Sequence, residues 1–334
     1  MRFADFDPDA LSAGERHRVY LEVGSHLDGQ PLGVPLLCAR SRQRGPTLVV
    51  LACVHGDEYE GMAAIHEVFR RLEPGRLRGT ILAVPTLNLP AAAAVHRFSP
   101  IDHLNLARVF PGRPDGTVTE RIAHYTDRHL IARADLLVDL HSAGSRYSMP
   151  TLCGYCTLGD AIGERSGAAA RAFGAPVLWQ HNEVPPGRTL SAAHERGIPS
   201  VYAETTGGTW LRAADVEVYV RGVLNLMRHL AILDGPLEPG PPPLLLEGSG
   251  NLDFAITAEV SGYLRNAVGL LDAVAKGDLL GTVHDPWGDA VQEIRAPQSG
   301  RVVMRRETPL LLVGEMAYAL TGDKRPDHED RSRG

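Results

Sequence analysis

Residues 47–61 read TLVVLACVHGDEYEG, and this stretch decides the fold. Positions 47–54 are apolar and rich in β-branched residues, which predicts a buried strand. The strand stops at His55-Gly56-Asp57-Glu58, and helix-period apolar residues follow at Met62, Ile65, Val68, Phe69 and Leu72. A strand that ends in His-x-x-Glu and turns into a helix places two metal-type ligands at the carboxyl end of a sheet. Open α/β sheets build their sites there. Imidazole and carboxylate both suit Zn²⁺, and a catalytic zinc takes three protein ligands and leaves a position for water. The plainer reading makes His55 and Glu58 polar loop residues that cap the next helix. Only further ligands in similar contexts downstream can decide between the two.

Two such contexts exist. The run 134–140 (ADLLVDL) reads as a strand ending at His141, and 199–203 as one ending at Glu204. Strands are also expected at 79–85 and 176–180, with helices at 62–72, 119–134, 161–175, 191–196 and 213–233. Strands alternating with helices predict an α/β sheet with helices on both faces. Residues 17–41 alternate and contain Gly and Pro turns, so they read as short antiparallel strands leading into the central one. Residues 86–117 show little regular pattern, and a structureless segment of that length is often functional.

Five prolines between 234 and 243 mark an extended, stiff linker. Beyond it, strand-like runs broken by Gly, Pro and Asp predict a small all-β unit. The expected organisation is a catalytic domain over 1–233, a linker over 234–250, a β-rich capping domain over 251–322, and a charged disordered tail over 323–334.

The whole chain has 334 residues, 44% hydrophobic and 22% charged, with a formal net charge of −6. That balance argues against a nucleic-acid partner, which needs a basic stripe. No apolar run approaches the ~20 residues that span a bilayer, and the first residues lack the pattern of a signal peptide. The expectation is a cytoplasmic protein with no membrane partner, and a homo-oligomer is not excluded. Cys38 and Cys53 read as buried thiols. The Cys153/Cys156 pair has no second pair to complete a structural zinc site, so it reads as packing.

Three strand ends therefore offer His55 and Glu58, His141, and Glu204. Two histidines and one glutamate can hold a zinc ion while the remaining glutamate moves the proton of an attacking water. The stretches HGDEYEG (55–61), RFSPID (97–102) with ARVFPG (107–112), DLHSAG (139–144) and ETTGG (204–208) resemble the succinylglutamate desuccinylase/aspartoacylase family of the zinc carboxypeptidase superfamily. The resemblance covers nearly the whole chain. It implies a carboxypeptidase-like mixed α/β sheet flanked by helices, with a smaller C-terminal β domain packed over the active-site mouth. It further implies one zinc per chain held by His55, Glu58 and His141, with Glu204 as general base and acid. Arg97 matches the arginine that polarises the substrate carbonyl, and Arg108 the arginine that binds the substrate carboxylate.

One departure stands out. Relatives read Asp-Leu-Asn-Arg where this chain reads Asn105-Leu106-Ala107-Arg108. Ala107 cannot donate the hydrogen bond that the asparagine gives, which weakens succinylglutamate or N-acetylaspartate as the substrate. Asp139 is read either as a partner of His141 or as a buried strand-end carboxylate, and strand alternation is taken to point it away from His141. The expected activity is zinc-dependent deacylation of a small N-acyl amino acid. The competing readings are a metallocarboxypeptidase acting on a peptide C-terminus and a non-catalytic zinc-binding interaction protein.

Overall fold

The structure is a computed structural model that describes residues 1–208, 210–252 and 255–323. Strands β1 (Glu15–Ser25) and β2 (Pro31–Arg40) pair antiparallel, as their alternation predicts. Strand β3 (Thr47–Ala52), helix α1 (Glu60–Arg71), strand β4 (Thr80–Val84) and the short helix α2 (Leu89–Ala93) follow. Next come α3 (Val118–His129), β5 (Leu136–Leu140), β6 (Tyr147–Ser148), β7 (Leu152–Cys156) and α4 (Ala161–Phe173). The N-terminal part ends with β8 (Val177–His181), α5 (Thr189–Glu195), β9 (Ser200–Glu204) and α6 (Ala213–His229).

Strands β4, β3, β5 and β9 lie side by side and parallel, so the carboxyl ends of β3, β5 and β9 share one edge. Strand β5 is buried along its whole length, as a strand covered on both faces must be. On one face Val50, Leu48, Val138 and Val201 pack against Ile65, Val68 and Phe69 of α1, Phe173 of α4, and Tyr219 and Val223 of α6. On the other, Val49, Leu51 and Leu137 meet Ile122 of α3 and Ala192 of α5. Helix α3 begins in a capping box between Thr117 and Glu120, a start the Thr-x-x-Glu spacing supports. Helix α4 is capped by Asp160 and stops at Gly174 in the left-handed region.

The structure differs from the sequence reading in three places. Strand β7 lies where only the cysteine pair had drawn notice; it pairs antiparallel with β9 and parallel with β8. Its centre is Gly154, where an added Cβ would meet the Tyr202 ring at 2.0 Å, so a position that weakens a strand pattern is required by packing. The segment 86–117 is ordered: Asn88 caps α2, and residues 106–108 form a 3₁₀ turn. The stretch read as a linker carries β10 (Leu244–Glu247), which pairs parallel with β8.

Strands β11 (Ile256–Thr257), β12 (Gly262–Asn266), β13 (Ala273–Val274) and β14 (Leu279–His284) open the C-terminal region. Strands β15 (Ala290–Arg295), β16 (Gly300–Arg306), β17 (Leu310–Leu311) and β18 (Met316–Asp323) complete it. An antiparallel sheet β15-β14-β12-β17 packs around Leu264, Leu280, Val283 and Tyr318. Strand β18 pairs antiparallel with β10, so one sheet runs from the N-terminal part into the C-terminal part. The expected tail begins inside β18 at Asp323, and 324–334 lie outside the described residues.

Candidate active site

Strand β3 ends two residues sooner than its apolar run because Cys53 turns the chain with φ of +53°. A left-handed conformation in a residue with a side chain costs roughly 1–3 kcal/mol, and such strain clusters at functional sites. Here it directs His55 out of the sheet. Gly56 follows because the loop lies against α2; a Cβ there would meet the carbonyl carbon of Ala91 at 2.0 Å. Helix α1 starts at Tyr59 without a side-chain cap, so neither His55 nor Glu58 serves as one.

His55, Glu58 and His141 converge as the strand ends predict: their ligand atoms all lie within 4.8 Å of one another, a group that could hold a metal ion. Glu58 is fully enclosed. Its Oε1 is 2.7 Å from His55 Nδ1 and 3.2 Å from Arg97 Nη1, while its Oε2 is 2.8 Å from His141 Nδ1 and 3.3 Å from the Ser142 amide. Burial alone would raise its pKa, but the two histidines outweigh that and hold it well below the carboxylate range.

The far side of each imidazole is also held. His55 Nε2 lies 3.1 Å from Asn105 Oδ1, and His141 Nε2 lies 3.1 Å from Asp139 Oδ2. This corrects the reading of Asp139. Residues two apart on a strand share a face, so alternation places Asp139 beside His141. Thr189 Oγ1 donates to the same Asp139 oxygen at 2.5 Å. With Asp139 and Glu58 on its two nitrogens, His141 is raised well above the usual histidine value despite burial. His55 moves the other way, lowered by burial first and by Arg97 second.

These contacts orient the His55 ring. The Ala107 amide donates to Asn105 Oδ1 at 3.0 Å, and an N–H cannot accept, so that Asn105 atom is the carbonyl oxygen. The same oxygen faces Nε2, so Nε2 is the nitrogen that donates to it. Nδ1 is thereby turned toward the Glu58 carboxylate at 2.7 Å.

The other named residues line one cavity of about 120 Å³ with His55 and His141: Arg97, Arg108, Ala107 and Glu204. Burial pushes the Glu204 carboxyl up to about 8, partly offset by the charge of His141. Its Oε2 is enclosed with no hydrogen-bond partner among the described residues. No contact places Glu204 in the His55–Glu58–His141 group.

Sequence reasoning missed the opposite wall, formed by Trp179, His181 and Tyr202. The His181 ring stacks on Tyr202 with centroids 5.6 Å apart and meets Trp179 edge-on at 4.6 Å. His181 Nε2 accepts from the Tyr202 hydroxyl at 2.7 Å, and Nδ1 donates to the Gly248 carbonyl at 3.1 Å. Enclosure pulls its pKa down to about 4, which keeps the ring neutral. Period two puts Trp179 and His181 on one face, but only the antiparallel β7–β9 pairing brings that face to Tyr202. The sequence carries no local mark of that pairing. Cys156 also lines the cavity, while Cys153 is buried in the core beneath; all four thiols are free. From beyond β9 the lining takes Gly250 and Leu252. Among the described residues no helix is long and apolar enough to cross a membrane.

Comparison with known proteins agrees with this geometry. Residues 44–230 match the succinylglutamate desuccinylase/aspartoacylase catalytic domain. The chain is 32% identical over 309 residues to the N-alpha-acetyl-L-2,4-diaminobutyric acid deacetylase of Halomonas elongata, covering 90% of this chain and 89% of that one. Among solved structures, a succinylglutamate desuccinylase from Silicibacter sp. TM1040 is 31% identical. It superposes with a TM-score of 0.87 over 96% of this chain and 98% of its own. The product-bound ectoine utilization protein EutE (DoeB) from Ruegeria pomeroyi is 33% identical, with a TM-score of 0.86 over 93% of this chain and 97% of its own. Sequence, fold and site thus converge, and the chain belongs to the succinylglutamate desuccinylase/aspartoacylase family of deacylases.

Proposed function

We propose that the protein is a zinc-dependent amidohydrolase that removes the acyl group from a small N-acyl amino acid, with Nα-acetyl-2,4-diaminobutyrate as the leading substrate. The observation that carries the metal reading is the convergence of His55, Glu58 and His141, whose ligand atoms all lie within 4.8 Å of one another. His55, Glu58 and His141 are the zinc ligands, a two-histidine, one-carboxylate set that leaves a position open. When bound, zinc supplies an acidified water and a Lewis acid for the acyl carbonyl. Glu204 takes the proton from the attacking water and returns it to the leaving amine. Arg97 steadies the developing oxyanion, and Arg108 receives the substrate carboxylate through its guanidinium fork.

The substrate follows from the similarity to the Halomonas deacetylase and the Ruegeria ectoine utilization protein. It agrees with Ala107 standing where a second carboxylate contact is missing. We assign residues 1–233 to the catalytic unit and 251–322 to the cap; Gly250 and Leu252, at their junction, close part of the cavity.

The test is metal analysis joined to a substrate panel. The wild type should hold one zinc, and His55→Ala or His141→Ala should lose most of it. Nα-acetyl-2,4-diaminobutyrate should be hydrolysed faster than N-succinylglutamate, N-acetylaspartate or a peptide C-terminus. Full zinc occupancy in both variants, or preference for a peptide, overturns the reading.

A further inference from the structure

The side-chain oxygen of Asn105 faces both halves of the proposed chemistry. Its Oδ1 lies 3.1 Å from His55 Nε2 and accepts the Ala107 amide at 3.0 Å. The second contact begins the 3₁₀ turn over Leu106–Arg108, which delivers Arg108 to the cavity. The turn is braced from behind: the Phe110 amide donates to the Gly187 carbonyl at 3.1 Å, and a Cβ on Gly187 would meet the Arg108 carbonyl oxygen at 2.5 Å. The Gly187 segment thus backs the turn on the side away from Asn105. Leu106 is fully buried beneath it.

We propose that Asn105 is a positioning residue that ties the metal seat to the substrate clasp through this single oxygen. Resting on the zinc deacylase reading above, the assignment gives it two simultaneous tasks. Holding the Nε2 proton keeps the Nδ1 lone pair of His55 aimed at the ion, and partners of this kind set ligand orientation and basicity. Accepting the Ala107 amide fixes the turn, and with it the direction of the Arg108 guanidinium. Neither task needs charge, since the acceptor is a neutral amide. Disturbing the oxygen disturbs both, although the ligand and the arginine are 53 positions apart in sequence.

Asn105→Ala removes the shared acceptor, and Asn105→Asp keeps an oxygen that accepts from both donors. Zinc affinity is measured by chelator competition, independently of turnover. In the alanine variant it should fall about 10–100-fold. With zinc then made saturating, the wild type and both variants are compared on Nα-acetyl-2,4-diaminobutyrate and its carboxamide. The kcat/KM preference for the acid over the carboxamide, which Arg108 sets, should drop about tenfold in Asn105→Ala, the loss of roughly one charged hydrogen bond. Asn105→Asp should keep both properties within about threefold, and this holds the test open if the alanine variant fails to fold. Wild-type zinc affinity in the alanine variant, unchanged discrimination at saturating zinc, or loss of either property in Asn105→Asp overturns the coupling while leaving the deacylase reading intact. A wild type that hydrolyses neither compound overturns both.

Discussion

At the scale of single residues, the strongest expectation concerns Glu204. Glu204→Gln preserves the volume of the side chain and removes its capacity to take a proton. The variant should keep wild-type zinc content while turnover falls about 10²–10⁴-fold. Loss of the metal in that variant would move Glu204 among the ligands and sink its role as the base. The positions of His55, His141 and Glu204 were readable because each follows directly on an apolar run, and such an end has a local signature; Glu58 was readable from its spacing after His55. Asp139 was misread because alternation was applied with the wrong parity. Asn105 was noticed only as a changed letter in a motif: its function lies in a contact across 50 positions, and nothing adjacent to it in the chain announces that contact.

Among the elements, β7 is the one the sequence concealed, and its test follows from the cause of the concealment. Gly154 interrupts the strand pattern because the Tyr202 ring occupies the space of its side chain. Gly154→Ala must push that ring aside and stretch its bond to His181, an overpacking expected to cost about 1–3 kcal/mol. A melting temperature equal to the wild type would show that the ring has room to yield. Helix α3 offers a milder case. Thr117→Ala opens its capping box and should cost about 1 kcal/mol in chemical denaturation. The starts of α3 and α4 and the end of β5 were legible from periodicity and apolar runs, while α3, expected to reach residue 134, stops at His129. The boundaries of α2 and the 3₁₀ turn were not legible, because both are held by Asn side chains and tertiary contacts instead of an amphipathic period.

For the molecule as a whole, stability should depend on pH through His181. Its folded value near 4 lies below the ~6.5 of an unfolded histidine, so the unfolded chain binds the extra proton first on acidification. Its neutral burial therefore costs nothing above about pH 6.5, and stability is lost as pH falls from there toward 4. At pH 5 the loss from this group is ~2 kcal/mol. His181→Gln can still donate to Gly248 and accept from Tyr202, and it should flatten that part of the profile; an unchanged pH 7 to pH 5 difference would show that other groups set it. The pairing of β10 with both β8 and β18 sets a second expectation. A chain ending at Leu233 bares the edge of β8 and uncovers Trp179, so it should aggregate. A soluble, monomeric truncated chain would contradict this. The Pro-rich composition before β10 had suggested a stiff linker between separately folding units, and composition cannot report that a few residues later the chain rejoins the sheet.

The position of β10 also bears on how the protein is made. Strand β8 is complete at His181, but its outer partner begins at Leu244, roughly 60 residues later. At 5–20 residues per second, a ribosome needs about 3–12 s to deliver it. Throughout that interval the nascent sheet carries an apolar strand with unpaired amides and carbonyls, the template to which a neighbouring chain can add. Slow codons between 181 and 244 should therefore lower soluble yield, and the same delay placed after 247 should matter less. The vulnerable period in the life of this enzyme is set by the order in which its strands are synthesised.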